Sequence, residues 1–521
     1  MTSKMRWSIG GAALVLVAVL AVVLKFVSSP QAPLPGSAPP DSSAAAPGLT
    51  GRVGPTARSC QGVAVAPADE IQAAIDSNPP GTTFCFAAGT YRLEEPLAPK
   101  AGDALIGELG AVLSGSKILT GWQPDGAVWT TEGFLPDKAS TSGECDEAAP
   151  LCTYAEDVFI DGRRLNRVGS AAEVKPGTVY ADYDNNTITI GDAPVSHQVE
   201  QAVAPSLIRA TVDNVTVANL VIEEAANPAQ VGAIETRQID PYLAGSGWRI
   251  LDNEIRLNHG VGVSFTSGAI VTGNYIHHQG QLGFGAEGVD GTFSNNELSF
   301  NGAAEYSAGW EAGGSKSWAT ERLRLTHNFV HDNRGPGFWA DGGNIDMTYE
   351  YNKIVGNWLG GIKHEISYDA VIQHNYVADN GWRRKGWAWD AGIMIQSSGG
   401  NKLIDVSQNE VVNNANGITV LDSGERDLED PAPHGPHVVQ NVWVHDNKIT
   451  MMAGQMTGAV EDRGRLDIFT SRNIRFDSNT YRLSSLTDPH FFWNDDDLDW
   501  TDWRSGTGTH DVNGQALLID S

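Results

Sequence analysis

An all-β parallel β-helix solenoid is the fold this sequence predicts, from a recurring asparagine, strand-like alternation between the asparagines, and a glycine-rich composition. An apolar residue lies two positions after Asn253, Asn274, Asn296, Asn328, Asn352, Asn375, Asn409 and Asn447, and Asn219 opens the series. Successive spacings from Asn253 are 21, 22, 32, 24, 23, 34 and 38 residues, so a basic period near 22 carries insertions. Periods of this size mark a solenoid. A second Asn follows five residues later at Asn258, Asn301, Asn333, Asn357, Asn380 and Asn414. Segments such as Arg249 to Ile255 and Val371 to Val377 alternate without a helical stripe, and a leucine framework is missing. With 58 Gly and 41% hydrophobic residues, the composition fits a turn-rich β protein. Each coil is expected to stack short strands about 4.8 Å above the last, its Asn side chains bonded to those above and below.

The elements follow in chain order. Residues 1–29 hold an apolar run, Trp7 to Leu24, preceded by Lys4 and Arg6 and followed by Lys25. Its length and flanks read as an uncleaved membrane anchor with the rest of the chain outside the cytoplasm; a cleaved signal that would leave the protein secreted is the competing reading. Residues 30–56 are rich in Pro, Ala and Ser and read as a spacer. Residues 57–154 read as an N-terminal cap and first coils, and 155–205 as a small insertion. In that insertion Val158-Phe-Ile-Asp-Gly, Val179-Tyr-Ala-Asp-Tyr and Thr187-Ile-Thr-Ile-Gly look like short antiparallel strands. The repeats run over 206–485, and the aromatic, acidic segment 486–521 reads as a C-terminal cap. Within it, Asp495 to Asp497 are weighed as a calcium site against a solvated loop. Cys60 and Cys85 flank the first folded segment, while Cys145 and Cys152 bracket an acidic loop. Disulfides 60 to 85 and 145 to 152 are expected outside the cytoplasm.

On these repeats the chain resembles the right-handed parallel β-helix proteins of the pectate-lyase-like superfamily, most directly over Thr211 to Tyr481. Asp69-Glu-Ile-Gln-Ala-Ala-Ile-Asp, followed by Pro80-Gly-Thr-Thr and Gly89-Thr-Tyr, is similar to the cap helix and first coil of that family. The resemblance implies action on extended glycans, by hydrolysis, elimination or epimerisation. The Trp-Ile-Asp-His stretch of pectate lyases is absent, and Asn258-His-Gly-Val-Gly only echoes the Gly-His-Gly of polygalacturonases.

A second set of strands opens with Gly at Gly262, Gly283, Gly309, Gly337, Gly361, Gly392 and Gly417. Alternation turns the second and fourth residues of each inward, the third and fifth outward. The third-residue column then includes Glu311, Trp339 and Lys363, and the fifth Glu287, Asp341, Glu365 and Gln396. Asp341 and Glu365 fall about one strand spacing apart, with Glu311 and Lys363 beside them, and make the candidate catalytic group. Glu287, Asp341 and Glu365 are also read as a tentative Ca²⁺ set, since stacked like charges call for a cation or a shared proton. His364 points inward as a core histidine, and His277 and His278 read as turn residues. Trp382, Trp387 and Trp389 offer rings for sugar stacking, and Arg383, Arg384 and Lys385 offer charge for uronate or sulfate groups. Trp339 and Gln396 join them as substrate-binding candidates.

A net charge of −28 argues against nucleic acid, whose affinity depends on Lys and Arg. The expected partners are therefore a polysaccharide or cell-envelope glycan and, through the N-terminal segment, a membrane, with the chain a monomer. A glycoside hydrolase using paired carboxylates is preferred, because outward acids outnumber outward bases. A Ca²⁺-dependent polysaccharide lyase and a non-catalytic glycan-binding solenoid are the alternatives.

Overall fold

The computed structural model describes residues 48–137, 141–238, 241–384, 386–423, 434–505 and 510–519. The expected anchor Trp7 to Leu24 and most of the spacer lie outside them. Among the described residues, no helix is long and apolar enough to cross a membrane. The described residues form a parallel β-helix. Three sheets of 13, 13 and 12 strands run along it, parallel except for the last pair of the third, and from Ile208 onward successive coils contribute one strand to each. One coil shows the plan: Arg249–Leu251 in the first sheet, Glu254–Arg256 in the second and Val261–Phe265 in the third. Inward side chains such as Ile250, Ile255 and Val263 are fully buried in one continuous core.

Two side-chain ladders turn the corners around the second sheet. At the first, the Asn328 N–H and Nδ2 both donate to Asn352 Oδ1, at 3.0 and 2.9 Å, and Nδ2 also donates to Phe293 O at 3.0 Å. The residues before the ladder asparagines, among them Asp252, His327 and Tyr351, have φ between 54° and 57°. This left-handed backbone is costly for non-glycine residues and is held by the ladder bonds. The first ladder ends at Asp511, which accepts from Asn479. The second ladder contains a member that the Asn pattern passes over: Gln279 accepts from the Asn258 N–H, and its own N–H donates to Asn301.

The glycines that open the third-sheet strands exist because of this second ladder. A Cβ at Gly337 would lie 2.8 Å from Ile354 and 3.1 Å from the Asn357 amide, and one at Gly361 would lie 2.5 Å from Val377. Gly309 has no such neighbours; the register glycine of its coil is Gly314, opposite Gly337. The frame expected for that coil is therefore shifted by five residues.

The expected helix forms at Ile71–Ser77, burying Ile71 and Ile75. Both disulfides pair as expected, Cys60 with Cys85 and Cys145 with Cys152. The last part of the spacer lies against the solenoid along its first Asn corner. There the Thr50 N–H donates to Asn295, and the Thr56 N–H donates to Asn219. In the C-terminal segment, Phe491–Trp493 extends the third sheet, and Trp503 is buried with its ring 4.9 Å from that of Phe491. Asp496 and Asp497 pair antiparallel to Phe491–Trp493 with exposed side chains, a hairpin rather than a cation cage.

The insertion begins earlier than the sequence indicates. Ser116–Ile118 pairs antiparallel with Val199–Ala202, and Val128–Glu132 with Thr187–Ile190. Where it meets the solenoid, Ser116 Oγ donates to Glu224 Oε2 at 2.6 Å and Arg92 bonds Glu200 at 2.5 Å. Burial, reinforced by Glu223 and Glu200, pushes the Glu224 carboxyl up to about 8. Its pKa in the unfolded chain is near 4.5. Between these values the folded protein keeps a proton that the unfolded chain releases, so stability falls as pH rises through the window. Thermal unfolding of wild type against Glu224→Gln should therefore show wild type losing ground steadily from pH 5 to about pH 8. A difference that does not change with pH would contradict this.

Candidate active site

The outer face of the third sheet carries the candidate residues. Strand register pairs Trp339 with Lys363 and Asp341 with Glu365 on adjacent coils, then Lys363 with Met394 and Glu365 with Gln396 on the next. Inward neighbours Phe338, Ala340 and Ile362 are fully buried. His364 is buried with them: its Nε2 lies 2.7 Å from Tyr368 O, and burial lowers it to about 4, as befits a core histidine.

The corrected frame brings in two residues that the sequence reading missed. Lys316 precedes Trp339 in the third-residue column, and Trp318 precedes Asp341 in the fifth. Lys316 Nζ lies 2.7 Å from Asp341 Oδ2 and 2.7 Å from Glu311 Oε1. Burial alone would lower its pKa, but Asp341 and Glu311 outweigh that and raise it, so Lys316 stays an ammonium. Lys363 Nζ lies 2.6 Å from Glu365 Oε2, and Trp339 Nε1 donates to the same oxygen at 2.9 Å. Both ammoniums sit over the Trp339 ring, 4.8 and 4.3 Å from its centroid, and this fixes the ring between two charges. Trp318 lies across Gly342, where a Cβ would meet its ring at 2.3 Å, and keeps 44% of its surface exposed. A Gly313-Gly314 pair followed by Ser-Lys-Ser-Trp was the available signal, since two small inward Ser suit a crowded coil.

Glu311 is not in the strand position expected for it; it reaches Lys316 from a loop. Gln230 Nε2 donates to its Oε2 at 2.8 Å. The loop is held by the Cys145–Cys152 segment: the Ser307 N–H donates to Glu144 O, and the Asp146 N–H to Glu305 O. Tyr306 in this loop is buried, with its OH 3.1 Å from His259 Nε2. His259 Nδ1 is 3.0 Å from Asp157, whose carboxyl is held down at about 2: burial opposes ionisation, but Arg164 and His259 outweigh it. A Cys145→Ser, Cys152→Ser double variant should lower kcat about tenfold, by loosening Glu311 and with it Lys316. The unfolding temperature should fall by only a few degrees, because closing a seven-residue loop is worth about 2 kcal/mol against the unfolding entropy of so long a chain. Unchanged turnover would contradict this coupling.

Glu287 is not brought to the cluster. It pairs with Arg237 and accepts from Tyr242 OH at 3.0 Å. Burial and then Glu287 raise the Tyr242 hydroxyl to about 12. Glu287, Asp341 and Glu365 each hold their own cationic partner, so the tentative Ca²⁺ set does not converge. Among the described residues no three His, Cys, Asp or Glu side chains come together to hold a metal. The two turn histidines, whose Nδ1 atoms lie 2.7 Å apart, differ in backbone. His277 ends the strand Tyr275–His277, buried beside Glu254, and only His278 takes the left-handed turn.

The 381–390 loop walls the C-terminal side of this face. Asn416 Nδ2 donates to Gly386, Trp387 and Trp389 carbonyls, and Trp389 packs on Ala388, Leu421, Val460 and Phe492. Trp387 and Trp382 stay exposed, at 49% and 44%, while Trp382 Nε1 donates to Asn413 O. Arg383 stacks on Trp358, 4.5 Å from the ring centroid. Arg384 lies in the short helix Trp382–Arg384; its side chain and Lys385 are outside the described residues. Gln396 Nε2 donates to Ser423 Oγ at 2.8 Å.

Comparison with known families matches residues 242–430 to the right handed beta helix region. Among solved structures, a complex of XylC with xylose aligns with a TM-score of 0.53 at 16% identity, covering 82% of this chain and 83% of that one. The A-module of an Azotobacter vinelandii mannuronan C-5 epimerase aligns with a TM-score of 0.44 at 12% identity, over 86% of this chain and 95% of that one. No curated protein matches the sequence. The matched region and the first of these structures establish the fold as a right-handed parallel β-helix.

Proposed function

We propose that this protein is an extracytoplasmic glycoside hydrolase of the retaining type, acting on a polysaccharide, with Asp341 as nucleophile and Glu365 as acid/base. The observation that carries the reading is the adjacent-coil register of Asp341 and Glu365. Strands in one sheet lie about 4.8 Å apart, so side chains on adjacent coils suit the separation of about 5–5.5 Å that retaining chemistry uses better than the wider gap that inversion needs for a water. Lys316 holds Asp341 Oδ2, while Oδ1 has no hydrogen-bond partner among the described residues. Oδ1 attacks the anomeric carbon as the hydrogen-bonded Lys363–Glu365 pair gives up one proton, passed through Glu365 to the departing oxygen. Glu365 then takes a proton from the water that cleaves the glycosyl ester. Glu311 and Lys363 are positioning residues, acting through Lys316 and Glu365. The sugar complex of XylC adds that a solenoid of this shape can hold a sugar, and the Trp7 to Leu24 segment with the two disulfides supports a membrane-tethered position outside the cytoplasm.

A panel of polysaccharides, assayed with and without chelator, tests the reading. Release of reducing ends, unaffected by chelator and without the ultraviolet absorbance of an unsaturated product, is expected. An unsaturated product would replace hydrolysis with elimination, and binding without turnover would leave a glycan-binding solenoid.

A further inference from the structure

Beside Glu365, on its own outward column, two left-over polar atoms are acceptors. Asp341 Oδ1 and Gln396 Oε1 are buried without a hydrogen-bond partner, at residues 8% and 1% exposed, on the same outward column on either side of Glu365. The described N–H donors around the acid pair are already used. Lys316 is shared by Glu311 and Asp341, Lys363 is held by Glu365, the Trp339 indole donates to Glu365, and the Gln396 amide donates to Ser423. Buried acceptors without donors are rare in a finished structure and call for a ligand that brings hydrogens.

We infer that this site takes a neutral, hydroxyl-bearing glycan rather than a uronate, with Gln396 accepting from a sugar hydroxyl about two strand spacings, or 10 Å, from Asp341. A uronate brings an acceptor-only anion into a face of acceptors and carboxylates, where like charges are costly. Among the described residues of the face, the two ammoniums are already neutralised. A sugar hydroxyl supplies the missing hydrogen to Gln396 Oε1, while Asp341 Oδ1 is left to face the anomeric carbon. On the far side of Asp341, the exposed Trp318 ring gives the apolar face of a pyranose a surface to lie on. The site thus spans three strand spacings, from a stacking ring to an acceptor, with the acid pair between.

This rests on the hydrolase reading, and one experiment separates the two. The full chain carrying Glu365→Gln is titrated calorimetrically with xylo-, cello- and manno-oligosaccharides and with oligogalacturonate and oligomannuronate, and the wild type is assayed on the same series. At least about tenfold tighter binding of a neutral series is expected, and Gln396→Met should raise KM for it about tenfold while leaving kcat within about threefold. Uronate binding tighter than every neutral series overturns the inference. If wild type hydrolyses that uronate and Asp341→Asn does not, the hydrolase reading stands alone; if the uronate is eliminated to an unsaturated product, both fall. A Gln396→Met variant with unchanged KM overturns the role given to Gln396.

Discussion

Asp341→Asn is expected to lower kcat by at least about 10³-fold on every cleaved substrate, with the fold intact. The substitution keeps the shape and an oxygen to accept from Lys316, whose ammonium still pairs with Glu311 at 2.7 Å. It removes the charge that attacks the anomeric carbon, and no neighbouring group replaces it, because Glu311 is turned toward Lys316 and Gln230. Glu365→Gln should also cost about 10²- to 10⁴-fold on a natural glycan, since the leaving oxygen departs without a proton. Its signature differs. An aryl glycoside whose phenolate leaves without protonation should recover most of the first step in Glu365→Gln and none of it in Asp341→Asn. Equal residual rates for both variants on both substrate types would contradict the division of roles.

The second large effect lies in the scaffold. Asn352→Leu should destabilise the protein by about 3 kcal/mol or more, because it strips partners from several buried polar groups at once. The Asn328 N–H and Nδ2 lose their acceptor, and the Leu325 carbonyl loses the Asn352 Nδ2 donor. A leucine of similar volume replaces none of these bonds. The neighbouring turn would lose support for Tyr351, whose φ of 55° is held by the same corner. Asn185→Ala, on an exposed turn of the insertion, should change stability by about 0.5 kcal/mol or less. Chemical unfolding followed by hydrogen exchange at the 352 corner measures both. Matching losses for the two variants would show that the ladder does not bear the load.

The scaffold was legible in the sequence because its device is chemical and repeats: a buried Asn at each coil, five residues from a second one. Gln279 escaped the pattern only because a longer amide does the same work. The site was legible wherever that frame held. Asp341, Glu365, Trp339, Lys363 and Gln396 stack as expected, because Gly337, Gly361 and Gly392 mark true corners against the second ladder. It failed in the coil carrying the Glu311 loop, where Gly309 offered a false start and hid Lys316 and Trp318. A glycine in sequence does not reveal whether a Cβ would strike a neighbour; Gly314 meets that condition and Gly309 does not. Nor did sequence show that Glu287 would find Arg237, since that contact joins residues 50 apart through a loop between coils.

Proton NMR of the first-formed product, recorded before mutarotation, tests the adjacent-coil acid pair most directly. An anomeric configuration identical to that of the substrate is the predicted result, because carboxyls one strand spacing apart leave room for a glycosyl ester and not for an intervening water. An inverted product would contradict the account.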